Sequence, residues 1–317
     1  MMNNPWLDIE NNCYKRITRD LNLFYAKSLD DDYLLIIELD DVPINDRNLS
    51  LKGFELYQNE ENGKYKIYLK LKEQGSWEIF YQLCNDLVSY IQTSKYPIDK
   101  TVINRLMTWQ SFLSSENNSF PLEKQLGLMG ELTFLYEILT PKASLKQALI
   151  AWVGPEKEKQ DFRINDVNIE VKAYLDNKSN KVHISSLEQL NPESGSLYLY
   201  AFGFRILDNG ITVKDYISKI KSSIMEQCPE ELFDFEQLIL AYGYNYIQEY
   251  DNLERLYRYD ANCWKVENNF PRIPIDIKND AISSVLYTIN LALCNDFEKQ
   301  DSDLLAEIKR GGADVYP

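Results

Sequence analysis

The sequence is short of histidine, of cations and of long apolar runs. Its 317 residues contain one histidine, His183. A zinc site built on imidazoles needs several of them. A Ser-His-Asp hydrolase or a histidine-based nuclease would have to rest on His183 alone, and no G-x-S-x-G elbow is present. The five cysteines, Cys13, Cys84, Cys228, Cys263 and Cys294, are odd in number and form no C-x-x-C pair. That spacing argues against a disulfide framework or a zinc ribbon and for a reducing compartment. No apolar run approaches the ~20 residues of a membrane span, and residues 1–12 have neither the basic nor the apolar stretch of a signal peptide. A cytoplasmic protein with no membrane partner is expected, and its chemistry falls to carboxylates and lysines.

Cations are scarce as well: 34 Lys and Arg face 49 Asp and Glu, a net charge of −15. Phosphate backbones are held by clustered Lys and Arg, so an unaided, non-specific nucleic-acid binder is disfavoured. The excess is uneven. Residues 226–260 carry nine acids and two bases, whereas residues 156–181 carry six of each. The second stretch is neutral, and a bound divalent cation would make it positive.

What is present suits a folded α+β protein with an α/β core. Hydrophobic residues make up 44% of the chain and 22 residues are Tyr, enough for a substantial interior. Residues 14–72 read as mostly strand, with a hairpin formed by residues 54–57 and 65–71 around a turn at 59–63. The period then becomes helical: Trp77, Phe80, Tyr81, Cys84, Leu87, Val88 and Ile91 recur at i, i+3, i+4, and Val102, Leu106, Trp109 and Leu113 share a second stripe. Helices over 122–139 and 145–153 precede a hairpin of residues 161–164 and 167–173, turning at Asn165-Asp166. Strands at 182–185 and 196–206, helices at 212–225 and 229–240, and strands near 258–265 and 284–293 follow. The Ser/Asn-rich stretch 114–119 predicts a boundary, giving a β-rich region with helices over 1–115 and a second domain over 116–317.

One ordered set carries chemistry. A hairpin over 161–173 can place Asp161 beside Glu170, and Glu170 and Lys172, two apart on a strand, share a face while Val171 points into the core. Paired carboxylates beside a lysine suit a hard divalent cation such as Mg²⁺, which takes oxygen ligands and keeps waters. The tripeptide alone is weak evidence, since Glu307-Ile-Lys309, Asp176-Asn-Lys178 and Asp276-Ile-Lys278 repeat it. Only Glu170 lies in an apolar strand, with an Asp one hairpin upstream and Glu131 on a helix before that.

Gly127-x-x-Gly130-Glu131, Trp152-x-Gly154-Pro155, Gln160-Asp161-Phe162, Glu170-Val171-Lys172 and residues 185–190 together resemble a bacterial PD-(D/E)XK motif family, found near restriction-modification genes such as DNA methyltransferases and helicase-like ATPases. The resemblance implies a restriction-endonuclease-like mixed sheet flanked by helices, and Mg²⁺-dependent cleavage of DNA, with Mn²⁺ as a substitute. It implies Asp161, Glu170 and Glu131, with Val171, at the metal, Lys172 positioning water, and Gln189 in the metal–water network or against the nucleic-acid backbone. Gln160 stands where the general motif has Pro. Methyltransferase or helicase-like subunits, and a second copy of the chain, are the implied partners. Two other readings stay open: a nuclease-fold subunit without catalysis, and an acidic DNA mimic, which would not need the Glu170-x-Lys172 strand.

Plainer roles compete at single positions. Gly127 and Gly130 suit close helix packing, Glu131 could be a solvated helix residue, and Gln189 a cap. His183 suits a satisfied strand residue. Tyr242, Tyr244, Tyr246 and Tyr250 suit packing better than base stacking. Arg205, Lys214, Lys219 and Lys221 could line a phosphate path or simply face solvent.

Overall fold

The computed structural model describes the chain except residues 1–3, 40–49, 52, 62, 94–96, 115–118, 157, 177–179, 247–248, 276–283 and 312–317. Most of the expected linker at 114–119, the Asp276 and Lys278 pair, and Lys178 therefore lie outside the described residues. The chain divides into two compact units, Met1–Asn117 and Asn118–Pro317.

In the first unit, β1 (Tyr14–Arg16), β2 (Leu23–Lys27), β3 (Tyr33–Leu39), β4 (Ser50–Leu51), β5 (Phe54–Glu61) and β6 (Lys64–Leu71) form one antiparallel sheet in the order β1-β2-β3-β6-β5-β4. The predicted hairpin is β5–β6, and it closes with Glu61 opposite Lys64. The apolar run in β3 has the physical cause expected of a central strand: Tyr33, Leu34, Leu35, Ile37 and Leu39 are all buried. Helices α1 (Trp77–Thr93) and α2 (Ile98–Ser114) follow. Phe80, Cys84, Leu87, Val88 and Ile91 bury the stripe of α1, and Val102, Leu106 and Trp109 that of α2.

The second unit begins with α3 (Leu122–Thr133), which runs on through a π-helical turn, Phe134–Leu139, into α4 (Leu145–Ala151). Then come β7 (Phe162–Ile164), β8 (Val167–Leu175), β9 (Lys181–Ile184) and β10 (Ser196–Ile211), followed by α5 (Val213–Gln227) and α6 (Leu232–Tyr242). The unit finishes with β11 (Leu256–Lys265), β12 (Tyr287–Asn290), β13 (Glu298–Lys299) and α7 (Asp301–Gly311). Its main sheet has the order β13-β11-β10-β8-β7, with β8 and β10 parallel and the other pairs antiparallel. The α+β class with a mixed sheet is thus observed.

Local chemistry explains the hairpin and α5. Asn165 turns β7 into β8 with φ +52°, a left-handed conformation that Asn adopts more readily than most residues. Thr212 caps α5 by accepting from the Asp215 N–H at 3.1 Å, and Asp215 returns the bond to the Thr212 N–H, a capping box.

Strand alternation gives the sheet two apolar faces. Val167, Ile169 and Val171 of β8 join Tyr200, Phe202 and Phe204 of β10 in one core, with Leu128, Leu132 and Ile217 from the helices. Leu197, Leu199 and Ala201 face the other way, against Val182, Ile184 and Ile289. The strand predicted over 182–185 is β9, which pairs with β12, His183 opposite Thr288. One expectation changes here. The strand expected over 284–293 is confined to Tyr287–Asn290 and passes into a 3₁₀ turn, Leu291–Leu293.

Glu307, of the repeated Glu-x-Lys tripeptide, lies on α7. It accepts hydrogen bonds from Ser196, from Tyr198 at 2.5 Å and from Lys265 at 2.9 Å. Burial alone would raise its pKa; the three donors outweigh burial and bring it down to about 2. A depressed carboxyl adds stability above its ordinary pKa and loses it as pH falls toward the folded value. Glu307→Gln is therefore expected to cost about 2 kcal/mol at pH 6. The deficit should narrow between pH 4.5 and 3, read as the wild-type-minus-variant difference in urea unfolding.

Candidate metal-binding site

The hairpin and α3 bring four of the predicted side chains together. Glu170 pairs in register with Leu199, so it lies on the second apolar face and is 1% exposed. Asp161 sits just ahead of β7, and its Oδ2 accepts the Val171 N–H at 2.7 Å. This bond ties the two hairpin strands at the point where both carboxylates are needed. Lys172 Nζ lies 2.5 Å from Glu170 Oε1 and donates to Gln189 Oε1 at 3.3 Å. Gln189, on the 3₁₀ turn Glu188–Leu190, also accepts from the Ser185 N–H at 2.9 Å. Gln160, at the position of the motif's Pro, donates to the Glu188 carbonyl at 2.8 Å and so anchors that turn.

Glu131 joins from α3. It is 6% exposed, which overturns the solvated-helix reading. Its Oε2 accepts the Trp152 indole N–H at 2.7 Å. Two glycines, Gly130 before it and Gly154 after Trp152, explain the approach. A Cβ on Gly130 would stand 3.2 Å from Ala173 Cβ and 3.5 Å from Val171 Cγ1, so α3 lies directly on β8. A Cβ on Gly154 would stand 2.9 Å from Asp161 Oδ1 and 3.3 Å from Glu131 Oε2, so that turn runs close over both carboxylates.

Crowding three acids and one lysine in a dry site shifts them all. Burial is the largest influence on each acid. It pushes Glu170 up to about 8, helped by the Asp161 charge and opposed by Lys172. It raises Asp161 against Lys172 and the Val171 N–H, and raises Glu131 well above the carboxylate range against the Trp152 donor. For Lys172 burial pulls downward, but the Glu170, Asp161 and Glu131 charges outweigh it and hold the ammonium above its ordinary value. In the metal-free protein Lys172 is accordingly a cation and a donor.

The donor set fits a hard divalent cation. Both Glu170 oxygens are buried and neither has a well-aligned hydrogen-bond donor, the close Lys172 ammonium notwithstanding. Buried carboxylate oxygens without partners are costly, and a cation with its waters would satisfy them. Among the described residues no three His, Cys, Asp or Glu side chains converge into a complete ligand set. An ion here would be held by few carboxylates and keep water, as Mg²⁺ commonly does. Val171 offers no side-chain ligand: it is buried in the core and its N–H is committed to Asp161.

Other candidates fall away. His183 is exposed on β9 and pairs with Thr288 Oγ1 at 3.0 Å. Arg205 pairs with Asp176 at 2.7 Å, Lys214 with Glu249 at 2.7 Å, and Lys221 with the buried Glu236. Lys219 lies over the Tyr136 and Tyr216 rings. These four form no free phosphate path. Tyr244 and Tyr250 pack with Phe120, as the plainer reading holds. Tyr242 differs in its hydroxyl, which lies at the Gly127 position on α3; burial, with the Glu131 and Asp161 charges, raises its pKa and keeps it a donor. Sequence reasoning missed Trp152 and Tyr242 as site residues. The Trp152-x-Gly154-Pro155 turn was a usable signal for the first.

A mixed sheet with an Asp and a Glu-x-Lys at adjoining strand positions, and a helical Glu over them, defines a nuclease-like fold of the PD-(D/E)XK class. Residues 2–292 match the family DUF4420, described as "Putative PD-(D/E)XK family member". The chain belongs to that family. No curated protein and no solved structure matches it. Among the described residues no helix is long and apolar enough to cross a membrane.

Proposed function

We propose that the chain is a Mg²⁺-dependent DNA endonuclease serving a restriction or phage-defence system in the cytoplasm. The observation that carries this reading is the buried Glu170 carboxylate, short of donors, with Asp161, Glu131 and Lys172 around it. Asp161 and Glu170 would hold the ion, with Glu131 as accessory acid and Val171 limited to its carbonyl. The ion, when bound, supplies Lewis-acid stabilisation of charge on a phosphate and a more acidic water. Mn²⁺ substitutes for it. Lys172, kept cationic, orients the attacking water and offsets phosphate charge, and Gln189 holds the ammonium in place.

The excess of acids supports a partner that supplies the basic DNA groove: a methyltransferase or helicase-like subunit, with a second copy of the chain for cutting both strands. The same acidity favours one rival, a non-catalytic nuclease-fold subunit. Plasmid nicking in Mg²⁺ separates them. Wild type should nick, alone or with its partner subunits. Glu170→Gln and Lys172→Met should fall by at least about 10²–10³-fold. If wild type with partners neither nicks DNA nor binds Mg²⁺ by calorimetry, the non-catalytic reading replaces this one.

A further inference from the structure

Helix α6 contributes to the carboxylate cluster a residue outside the ordered motif. Gly127 and Glu131 are four apart on α3, so they lie on one face a turn apart. Gly130 is accounted for by the contact with β8, but Gly127 is not. A Cβ there would stand 2.3 Å from the Tyr242 hydroxyl oxygen and 3.6 Å from the ring carbon bearing it, and would meet nothing else within 4 Å. Glycine inside a helix is disfavoured relative to alanine, and here the missing Cβ makes room for one hydroxyl. Tyr242 is the last residue of α6, and the helix stops there because Gly243 turns left-handed at φ +100°. The side chain is thereby delivered at a fixed point over α3. Among the described residues Tyr242 has no aromatic ring partner, unlike Tyr244 and Tyr250. Its ring packs against the same core as Tyr246 and Tyr250, but its hydroxyl is set apart by its place at the Gly127 gap.

We propose that Tyr242 is a positioning residue of the metal site: its hydroxyl, seated in the gap at Gly127, holds the Glu131 carboxylate in place together with the Trp152 indole. The inference rests on the metal-dependent reading above. Groups that orient a ligand without touching the ion commonly change metal affinity by about 10–100-fold. The Trp152 indole is one such group on Glu131; the Tyr242 hydroxyl, placed over Gly127 one turn before Glu131 on α3, would be the second, from a different element.

The test is calorimetric titration of Mn²⁺ into the full chain and three variants, each with a melting curve. Tyr242→Phe should bind Mn²⁺ about 10-fold more weakly or worse, with its melting temperature within a few degrees of wild type. Gly127→Ala should weaken binding similarly, because the new methyl displaces the hydroxyl. The double variant should be no weaker than either single one, since the ring carbon at 3.6 Å leaves room for the methyl once the hydroxyl is gone. Wild-type affinity in Tyr242→Phe, or additive losses in the double variant, would overturn the role while leaving the metal site standing. Failure of wild type itself to bind Mn²⁺ would overturn the metal reading, and this inference with it.

Discussion

Glu170→Gln is expected to raise the melting temperature of the metal-free protein at pH 8.5 while abolishing its metal-dependent nicking. The cause is the burial of Glu170, whose carboxyl is pushed up to about 8. Between its ordinary pKa and that value the folded chain holds a proton the unfolded chain has released. Stability therefore falls as pH rises through this window, and the cost is complete above it. Glutamine has the shape of the protonated acid and never ionises. Part of the gain is offset because Lys172 loses its nearest counter-charge, although Asp161 and Glu131 remain. The net expectation is a gain of about 2 kcal/mol at pH 8.5, or roughly 4–8 °C, shrinking toward zero at pH 5. Thermal melts at the two pH values in EDTA measure it. Mg²⁺ should raise the wild-type melting point and leave the variant's unchanged. A loss of about 3–5 kcal/mol instead would mark Glu170 and Lys172 as a structural ion pair, and the metal reading would fail.

Stability surrendered at a site in this way is what a ligand-ready arrangement looks like from the protein's side. A core position on β8, in register with Leu199, would ordinarily be apolar. The Glu170 oxygens have no well-aligned donor, and their one close partner is the Lys172 ammonium of the same site. Contrast Glu307, in the same Glu-x-Lys spacing. Residues two apart on a helix do not share a face, and Glu307 spends its oxygens on Ser196, Tyr198 and Lys265. Its pKa goes down where that of Glu170 goes up. The two acids show how backbone period and donor supply, not the tripeptide, separate a candidate site from a structural bond.

The local parts of this arrangement were legible in the sequence because they depend on local pattern. The 161–173 hairpin, its turn at Asn165 and the shared face of Glu170 and Lys172 follow from alternation and turn chemistry. So does the stripe of α1. What escaped depends on partners far apart in the chain. Periodicity shows that 182–185 is extended, but not that its mate is β12, more than a hundred residues on. It gives α6 as an acidic helix but not the end at which Tyr242 meets Gly127. Trp152 was visible as part of a turn, yet its indole reaches Glu131 only because α3 lies close on β8 through Gly130. Nor does local pattern show the partners of Arg205, Lys214 and Lys221, weighed as a phosphate path or a solvated face: each is paired with a carboxylate distant in the chain or one helix on.

Lys172→Met should shift stability in the opposite direction to Glu170→Gln, and only at high pH. Methionine keeps the apolar stem and removes the charge. Near pH 5 Glu170, its carboxyl pushed up to about 8 by burial, is largely protonated in the metal-free protein, so Lys172 has less to neutralise. There its removal relieves a buried cation, and the variant should match or slightly exceed wild type. As pH rises toward 9 Glu170 ionises and Lys172 compensates its charge; the lysine's own pKa, raised by the neighbouring carboxylates, keeps it protonated. The penalty should therefore grow from near zero at pH 5 to about 2 kcal/mol at pH 9, measured by urea unfolding in EDTA. Divalent metal discriminates further. A cation between Asp161 and Glu170 does electrostatically what Lys172 does, so saturating Mg²⁺ should remove most of the pH 9 penalty while nicking stays lost. A penalty independent of pH would mean that the lysine's stem, and not its charge, is what the fold uses. Rescue of stability without rescue of cleavage would separate the two tasks of Lys172: balancing the carboxylates in the resting protein and positioning water in the reaction.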